Sequence, residues 1–475
     1  MSLPRVQSRS GTNADVEAAA PKVHVVTFGC QMNKYDSLLV EGRFQRHGYR
    51  IVGEADDADV LLFNTCSVRD HAEERVFSWI GELKRRKETR PELVIGVLGC
   101  MAQRVGEEIF RRAGHVDLVV GTRAFHNLPE MVAELRQRRA NGLAPKKARV
   151  IALSLGEQPD DDREGEPYTG GRLGYLAVMR GCDLNCTFCV VPKTRGRVLS
   201  RPLDELEAEA RWMVAQGAQV ITLLGQTINS YGEELAAPGP NEPKHLGRQG
   251  RPSLADVLYR LQAIDGLVRI RMITGHAAYV TPALARAIAE CSKVDRFFPL
   301  PVQSGSDRIL RAMKRGYTTE LYRDRLTMLR DAVPDIELGT DWIVGFPGET
   351  DEDFEASERW LAEQAYVQNY VFKYSPRPDT HAGEALVDDV PEAIKTERNQ
   401  RLLRAAERTQ LLRLQGWIGK SVQAFVEGKN ERGLLVARSF HNLPISFAGE
   451  DTSIGTVLEL EPTDATSFGL FAKKV

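Results

Sequence analysis

Arg180-Gly-Cys-Asp-Leu-Asn-Cys-Thr-Phe-Cys-Val-Val-Pro192 places three cysteines on one loop, directly after the apolar run Leu173 to Met179. Cys182, Cys186 and Cys189 follow a C-x3-C-x2-C spacing. Thiolates bind zinc or iron–sulfur clusters, and a structural zinc site usually takes four ligands. This loop holds no fourth Cys and no His. Three thiolates on a four-iron cluster leave one iron open for a small molecule. A zinc loop or buried structural cysteines are the alternatives.

Composition sets limits on the class of protein. A chain of 475 residues with 42% hydrophobic and 27% charged residues indicates an ordinary globular protein of two to four domains. Lys and Arg total 63 against 65 Asp and Glu, so the whole chain carries no charge that attracts a polyanion. Any contact with nucleic acid must therefore be local.

The sequence also predicts the cellular compartment. No apolar run is long enough to cross a bilayer, and residues 1–20 lack the apolar core of a secretion signal. We interpret residues 1–20 as a disordered tail and expect a cytoplasmic protein without a membrane segment. Seven cysteines, an odd number, then indicate metal ligation rather than disulfides.

A second group of cysteines lies in the first third of the chain. Short β-rich runs alternate with helical patterns there and predict a small parallel α/β domain, with strands at Val23–Gly29, Ala58–Asn64, Leu93–Gly99 and Val116–Val120. Cys30, Cys66 and Cys100 each follow one of the first three strands. Because the carboxyl ends of parallel strands share one edge of a sheet, we expect a second three-cysteine cluster site. Buried free cysteines are the alternative interpretation.

A polar, acidic, Gly- and Pro-rich segment from residue 154 predicts a linker, placed at 154–167. After it, six β/α units predict a partial (β/α)6 barrel with its chemistry at the carboxyl ends of the strands. The predicted strands are Leu173–Met179, Gln219–Leu224, Leu267–Ile273, Arg296–Val302, Glu337–Val344 and Val367–Tyr374.

The last part of the chain predicts a different fold. A long helical pattern, Pro391–Gln415, precedes short β-rich runs that indicate an all-β module, at Ser421–Glu427, Gly433–Ala437, Gly455–Leu460 and Phe468–Ala472. Between residues 414 and 475 there are six Lys and Arg against seven Asp and Glu, so the module carries little charge for RNA. Two basic runs, Lys84–Lys87 and Arg136–Arg149, are other candidate phosphate contacts or solvated helix faces.

From about residue 21 to its end, the chain resembles the MiaB-type tRNA methylthiotransferases of the radical S-adenosylmethionine (SAM) methylthiotransferase family. The resemblance includes the Cys182 loop and the following ordered motifs: Gly29-Cys-Gln-Met-Asn33, Asn64-Thr-Cys-Ser-Val-Arg69, Gly99-Cys-Met-Ala-Gln103, Pro301-Val-Gln-Ser-Gly-Ser306, Ile343-Val-Gly-Phe-Pro-Gly-Glu-Thr350 and Tyr374-Ser-Pro-Arg377.

This resemblance implies the domains and the cofactors. It implies a methylthiotransferase N-terminal domain at 21–140, a radical SAM core at 168–408 and a TRAM domain, an RNA-binding β-barrel, at 409–475. Two [4Fe-4S] clusters are implied. The cluster on Cys182, Cys186 and Cys189 would reduce SAM to a radical source, and the cluster on Cys30, Cys66 and Cys100 would carry the sulfur. A second SAM would supply the methyl group, and the implied SAM contacts are Gly225, Gln226, Gln303 and Ser304.

The implied reaction adds a methylthio group to C2 of N6-isopentenyladenosine at tRNA position 37. An aromatic C–H is neither acidic nor electrophilic enough for acid–base or nucleophilic catalysis, so a radical is needed. An electron donor such as a flavodoxin or a ferredoxin-like protein would reduce the enzyme, which we expect to be a monomer.

Three alternatives to this reaction stay open. They are modification of a threonylcarbamoyladenosine tRNA, of an aspartate in a ribosomal protein, and a non-catalytic role as an electron carrier or cluster scaffold. Gln31-Met-Asn33 after Cys30 resembles the tRNA branch rather than the ribosomal-protein branch.

Overall fold

The computed structural model describes residues 20–67, 70–155, 168, 170–240 and 242–475. They form two compact units, which divide between residues 169 and 170. The tail expected at 1–20 lies outside the described residues except for Ala20, and most of the linker expected at 154–167 also lies outside them. Each helix in the described part of the chain is too short or too polar to span a bilayer.

The N-terminal unit contains a parallel six-stranded sheet in the order β2-β1-β3-β4-β5-β6. Its strands are β1 Lys22–Thr27, β2 Arg50–Ile51, β3 Val60–Thr65, β4 Val94–Gly99, β5 Leu118–Val120 and β6 Val150–Ala152. Both β3 and β4 are buried along their whole length, because helices cover both faces of the sheet. The four strands expected from the sequence are therefore present, within two residues at each end.

Helices of the N-terminal unit enclose two apolar layers. These helices are α1 Gln31–Arg46, α2 Asp70–Thr89, α3 Cys100–Val105, α4 Glu108–Arg112, α5 Leu128–Ala140 and α6 Pro145–Ala148. One layer contains side chains of α1 and α5, and the other contains side chains of α2, α3 and α4. Strands β2 and β6 were not predicted, because they are two and three residues long at the sheet edges and too short for a β pattern.

The C-terminal unit begins with six parallel strands in two three-stranded sheets, β11-β10-β7 and β12-β13-β14. These strands are β7 Leu173–Ala177, β10 Val220–Leu224, β11 Arg269–Met272, β12 Phe297–Pro299, β13 Glu337–Val344 and β14 Gln368–Lys373. Backbone hydrogen bonds from Ile270 to Lys293 and from Asp295 to Ile270 connect the two sheets beside β11. The six β/α units thus confirm the predicted open barrel class.

Two further strands lie near the first barrel strand. β8 Met179–Arg180 pairs antiparallel with β9 Leu199–Ser200, so the run predicted as one strand to Met179 is interrupted at Val178.

Nine α-helices are described between β8 and the C-terminal module. They are α7 Val191–Arg195, α8 Leu203–Ala215, α9 Leu254–Gln262, α10 Pro282–Glu290, α11 Asp307–Ala312, α12 Thr319–Ala332, α13 Asp351–Gln364, α14 His381–Ala385 and α15 Glu392–Gln415.

The C-terminal module is a closed five-stranded barrel in the order β15-β16-β17-β19-β18. Its strands are β15 Val422–Lys429, β16 Leu435–Ser439, β17 Pro444–Phe447, β18 Val457–Thr466 and β19 Gly469–Lys474. The all-β prediction is confirmed, but β17 was not predicted. This strand is four residues long and begins with a proline, a residue that argues against a strand.

Buried charged groups connect the closed barrel to the parallel strands of the same unit. Arg269 on β11 is fully buried, and its Nε donates to Oδ1 of Asp295 at 2.8 Å. Its Nη1 donates to the backbone carbonyl of Arg438 on β16 at 2.7 Å. On α15, which precedes the barrel, Nε of the exposed Arg413 donates to the buried Glu337 on β13 at 2.9 Å. The bond from the buried Arg269 to the β16 backbone therefore attaches the barrel to β11, and loss of Asp295 would leave the Arg269 charge unpaired.

Candidate functional site

The loop that follows β8 carries the first three cysteines and is fixed by backbone contacts. Thr187 lies between Cys186 and Cys189, and its backbone N donates to the carbonyl of Met313 at 3.0 Å. Its Oγ1 donates to the carbonyl of Ala312 at 3.0 Å. The segment that follows α11 therefore holds the centre of the cysteine loop.

The three thiols lie in a largely buried environment. Cys182 and Cys186 are buried, and Sγ of Cys182 lies 3.7 Å from Oγ1 of Thr227 after β10. Burial raises the pKa of the Cys182 thiol, and burial together with the neighbouring Cys186 raises the pKa of the Cys189 thiol to about 12. Nη1 of Arg315 donates to Sγ of Cys186 at 3.1 Å. Three thiols and one guanidinium thus share a site with little water.

The donor set of this loop fits a multi-iron cluster. In the described part of the chain, no three Cys, His, Asp or Glu side chains surround a single metal-ion position. Thiolate ligands of a four-iron cluster bind different irons and stand around a larger group. Soft thiolates are the ligands that iron–sulfur clusters take. The buried guanidinium complements the negative charge of such a cluster.

The residues predicted as SAM contacts lie at the ends of two barrel strands. Gly225 directly follows β10, and a Cβ there would lie 2.7 Å from Cγ of Met179, so this position excludes larger residues. Oε1 of Gln226 is buried without a hydrogen-bond partner in the described residues. A buried acceptor of this kind is usually satisfied by a ligand or by water.

Gln303 and Ser304 lie beside β13, after the fourth barrel strand. The backbone N of Gln303 donates to the carbonyl of Asp341 at 2.9 Å, and its own carbonyl accepts from Ile343 at 2.9 Å. Ser304 is fully buried, and its Oγ accepts from the backbone N of Ser306 at 3.2 Å. The hydroxyl of Ser304 therefore supports the loop.

His276 occupies the end of the third barrel strand. It is buried, and Asn229 holds its backbone with two hydrogen bonds of 2.9 Å. Burial, together with the smaller effect of the Arg315 charge, lowers the pKa of His276 to about 3. The imidazole is therefore neutral at pH 7 and packs edge-on against the ring of Tyr317, with centroids 5.0 Å apart.

The second cysteine group lies at one edge of the N-terminal sheet. Cys30 precedes α1 and is exposed, whereas Cys66 directly follows β3 and Cys100 begins α3, and both are buried. β1, β3 and β4 are neighbours in the sheet and run parallel. All three cysteines therefore follow the carboxyl ends of adjacent strands.

Two asparagines join the loops that carry these cysteines. Nδ2 of Asn33 donates to Oδ1 of Asn64 and to the carbonyl of Thr65, each at 3.0 Å. Nδ2 of Asn64 returns a bond to the carbonyl of Asn33 at 2.8 Å. Oδ1 of Asn33 also accepts from Sγ of Cys30 at 3.3 Å. This network fixes the Cys30 loop against the loop of Cys66.

Two glycines allow these loops to approach each other. Gly29 has φ +131°, and a Cβ there would lie 2.6 Å from Cβ of Cys66. Gly99 has φ +92°, and a Cβ there would lie 2.5 Å from Oδ1 of Asn64 and 2.6 Å from the carbonyl oxygen of Thr65. Only glycine fits both the conformation and the space.

We expect Gly99→Ala to destabilise the N-terminal unit by about 1–3 kcal/mol and to lower the iron bound by the protein. The added methyl group would push Asn64 and Thr65 away from the start of α3, which carries Cys100. Calorimetry and iron analysis of the reconstituted protein test this. Gly81→Ala is the control, because Gly81 lies on α2 with no atom within 4 Å of the added Cβ. Unchanged stability and iron in Gly99→Ala would contradict the expectation.

Several site residues were not found by reading the sequence. Arg315 directly follows Lys314, and two adjacent basic residues usually lie on a solvated surface. No local sequence pattern therefore distinguishes Arg315 as a site residue. Thr187 lies inside the cysteine motif but is not a ligand type. Asn33 and Asn64 were within quoted motifs, and only the pairing of β1 with β3 shows that their side chains meet.

Both basic runs include residues that are paired within the N-terminal unit. Nη1 of Arg86 contacts Asp56 at 2.8 Å, and Nζ of Lys87 contacts Asp117 at 2.7 Å. Arg139 also contacts Asp117. These charges serve the fold, which weakens their candidacy as phosphate contacts.

Each of the two cysteine groups lies in a region that matches a known protein family. Residues 22–121 match the family described as Uncharacterized protein family UPF0004, and residues 176–361 match the Radical SAM superfamily. The radical S-adenosylmethionine methyltransferase TsrM from Kitasatospora setae has a similar fold, with a TM-score of 0.52 and 13% identity over 77% of this chain and 75% of that one. At this identity the likeness concerns the fold alone. The fold and the match place the chain in the radical SAM superfamily.

Two curated relatives show which family within this class the chain belongs to. The tRNA-2-methylthio-N(6)-dimethylallyladenosine synthase of Rhodopirellula baltica is 37% identical over 467 residues, covering 95% of both chains. The protein of the same name from Escherichia coli O139:H28 is 38% identical over 457 residues, covering 96% of this chain and 92% of the relative. The chain belongs to the family of tRNA-2-methylthio-N(6)-dimethylallyladenosine synthases.

Proposed function

We propose that this protein is a radical SAM methylthiotransferase that adds a methylthio group to C2 of N6-isopentenyladenosine at tRNA position 37. The observation that carries the proposal is the likeness to relatives of that name over 95–96% of the chain. Radical SAM membership implies a [4Fe-4S] cluster and SAM, which supply the radical for hydrogen abstraction at an unreactive C–H bond.

Residues of the barrel hold and orient the reactants. Cys182, Cys186 and Cys189 bind the first cluster through their thiolates. Gly225 lets the end of β10 pack closely against Met179, and the buried side-chain oxygen Oε1 of Gln226 would accept a hydrogen bond from SAM. Gln303 and Ser304 support the same edge through their loop. The low exposure of this site excludes water, which protects a radical from side reactions.

We assign a second [4Fe-4S] cluster to Cys30, Cys66 and Cys100. This cluster would carry the sulfur atom that is inserted into the adenosine. Their positions after three adjacent parallel strands support this assignment. The Asn33–Asn64 network fixes two of the three loops. A second SAM would supply the methyl group, as the residue pattern of the family implies.

The remaining parts of the proposal concern partners and boundaries. The closed barrel, which we assign as a TRAM domain at 409–475, contacts the tRNA, and the other domains are the cluster domain at 21–140 and the radical SAM core at 168–408. A tRNA substrate implies that the enzyme works in the cytoplasm. A flavodoxin or ferredoxin-like protein would donate electrons to the monomer.

Expression in a host that lacks its own enzyme should convert N6-isopentenyladenosine in tRNA to its 2-methylthio derivative, measured by nucleoside mass spectrometry. The prenyl group is apolar, so an unprenylated tRNA should react about tenfold more slowly or worse, because burial of the group contributes about 1–3 kcal/mol. Cys186→Ala is the inactive control.

Two results would contradict the proposed substrate. One is a methylthio derivative of threonylcarbamoyladenosine, and the other is a modified ribosomal protein with unchanged tRNA. Absence of SAM cleavage by the reconstituted protein would instead support an electron carrier or scaffold.

A further inference from the structure

Arg315 is a buried guanidinium in direct contact with a thiol of the first cysteine group. It is 7% exposed, and its Nη1 donates to Sγ of Cys186 at 3.1 Å. Its Nε donates to Oη of Tyr317 at 3.0 Å, and Nη2 donates to the carbonyl of Pro301 at 3.4 Å. All three nitrogens of the side chain therefore have acceptors, and one of these acceptors is sulfur.

The charge of Arg315 has no carboxylate partner in the described part of the chain. Isolated charges are rarely buried, because their desolvation is unfavourable unless an opposite charge compensates. Three other buried guanidinium groups in the C-terminal unit have such a partner: Arg201 pairs with Glu209, Arg269 with Asp295 and Arg398 with Glu349. Nη1 of Arg315 contacts Sγ of Cys186, so an ionised Cys186 bound to a cluster would supply the compensating negative charge.

We propose that Arg315 is a positioning residue for the cluster on Cys182, Cys186 and Cys189, which fixes Cys186 through a charge-assisted hydrogen bond and makes the cluster easier to reduce. This inference rests on the cluster of the proposed function, but not on the tRNA substrate.

Electron uptake explains why a buried positive charge is useful here. Three thiolates and an oxidised [4Fe-4S]2+ core carry a net charge of −1, and one added electron makes it −2. The fixed charge of Arg315 favours the more negative state. Hydrogen bonds to cluster sulfurs and nearby net charge are both determinants of cluster potential. Loss of the guanidinium should therefore make reduction harder without removing a ligand.

Neighbouring contacts keep the guanidinium in place. Oη of Tyr317 accepts from Arg315 and donates to the carbonyls of Pro301 and Val302, at 2.9 and 3.1 Å. The residues just before Arg315 also bind Thr187 of the cysteine loop. The segment that carries Arg315 and the loop that carries Cys186 therefore form one rigid arrangement.

The test uses full-length protein in which Cys30, Cys66 and Cys100 are replaced with alanine, so that a single cluster is observed. Arg315→Gln removes the positive charge, and Arg315→Lys keeps the charge but lacks the planar guanidinium with its several N–H donors. Arg330→Gln is the matched control, because Arg330 is partly buried, binds the neutral Gln364 and belongs to α12. Iron content, thermal unfolding and a redox titration followed by electron paramagnetic resonance are measured for each variant.

We expect Arg315→Gln to bind as much iron as the parent protein with alanine at positions 30, 66 and 100, with the reduced-to-oxidised ratio of the cluster lowered about tenfold or more at a fixed potential. Arg315→Lys should fall between Arg315→Gln and this parent, and Arg330→Gln should match the parent. SAM cleavage by Arg315→Gln should recover with a stronger reductant. An unchanged titration curve in a folded, iron-loaded Arg315→Gln would overturn the proposal.

A measurement on the unmutated side chain covers the case in which Arg315→Gln does not fold. Arginine labelled with 15N should give a nitrogen coupling in pulsed electron paramagnetic resonance of the reduced cluster, and Arg315→Lys should lack it. Absence of this coupling in the labelled protein would contradict the contact. A failure to modify tRNA would leave both results unaffected, so the inference and the substrate proposal are tested separately.

Discussion

The combined variant Cys182→Ala, Cys186→Ala and Cys189→Ala is expected to lose all reductive cleavage of SAM. No thiolate would remain on the loop after β8, and a four-iron cluster needs its cysteine ligands. Bound iron should fall by about half, because the cluster assigned to the N-terminal unit has its own ligands. Deoxyadenosine production with dithionite, together with iron and sulfide analysis, measures both effects.

Cys291→Ala is the matched control for this variant. Cys291 is a buried cysteine at the end of α10 and belongs to neither group. Its loss should change stability slightly, leaving SAM cleavage and iron content at wild-type levels. Deoxyadenosine from the combined variant would show that the loop after β8 does not hold the cluster that reduces SAM.

The fold could be predicted from the sequence wherever the signal was local. Apolar runs separated by helical patterns located all six strands of the open barrel, because each buried strand reads as a continuous β-rich segment. β2, β6 and β17 gave no such signal, since they are short and lie at sheet edges or begin with proline. Pairing with a neighbouring strand, rather than local propensity, determines them.

Candidate ligands were also predictable, whereas their surroundings were not. Cysteine spacing and strand order locate both cysteine groups without any side-chain geometry. Arg315 lies 129 residues from Cys186 in sequence, and Asn64 lies 31 residues from Asn33. Such contacts depend on which segments pack together, and a single sequence holds no direct record of that packing.

The two cysteine groups differ in exposure, which is consistent with different tasks. Cys182 and Cys186 are buried and Cys189 is half-buried, as suits a site that would generate a radical away from water. Cys30 is exposed at the sheet edge, beside the buried Cys66 and Cys100. An accessible ligand suits a cluster that must deliver sulfur to a substrate and then be rebuilt.

The combined variant Cys30→Ala, Cys66→Ala and Cys100→Ala is therefore expected to cleave SAM at the wild-type rate but to form no methylthio product. The loop after β8 is untouched, so the radical is still produced, whereas the proposed sulfur source is gone. Deoxyadenosine and tRNA nucleosides are measured in the same reaction by mass spectrometry, without added sulfide. The ratio of methylthio product to deoxyadenosine should fall from a measurable value to zero.

Asn33→Asp provides a sharper version of the same experiment, because it keeps all three thiols and changes only the network that fixes the Cys30 loop. The Nδ2 donor to Asn64 and Thr65 becomes an acceptor, and a negative charge is added beside Sγ of Cys30. We expect reduced product with unchanged SAM cleavage, since like charge beside a thiolate weakens its binding to the cluster. Full methylthio product from the three-cysteine variant would refute the assignment of the sulfur to this edge of the sheet, because no thiol would remain there to hold a cluster.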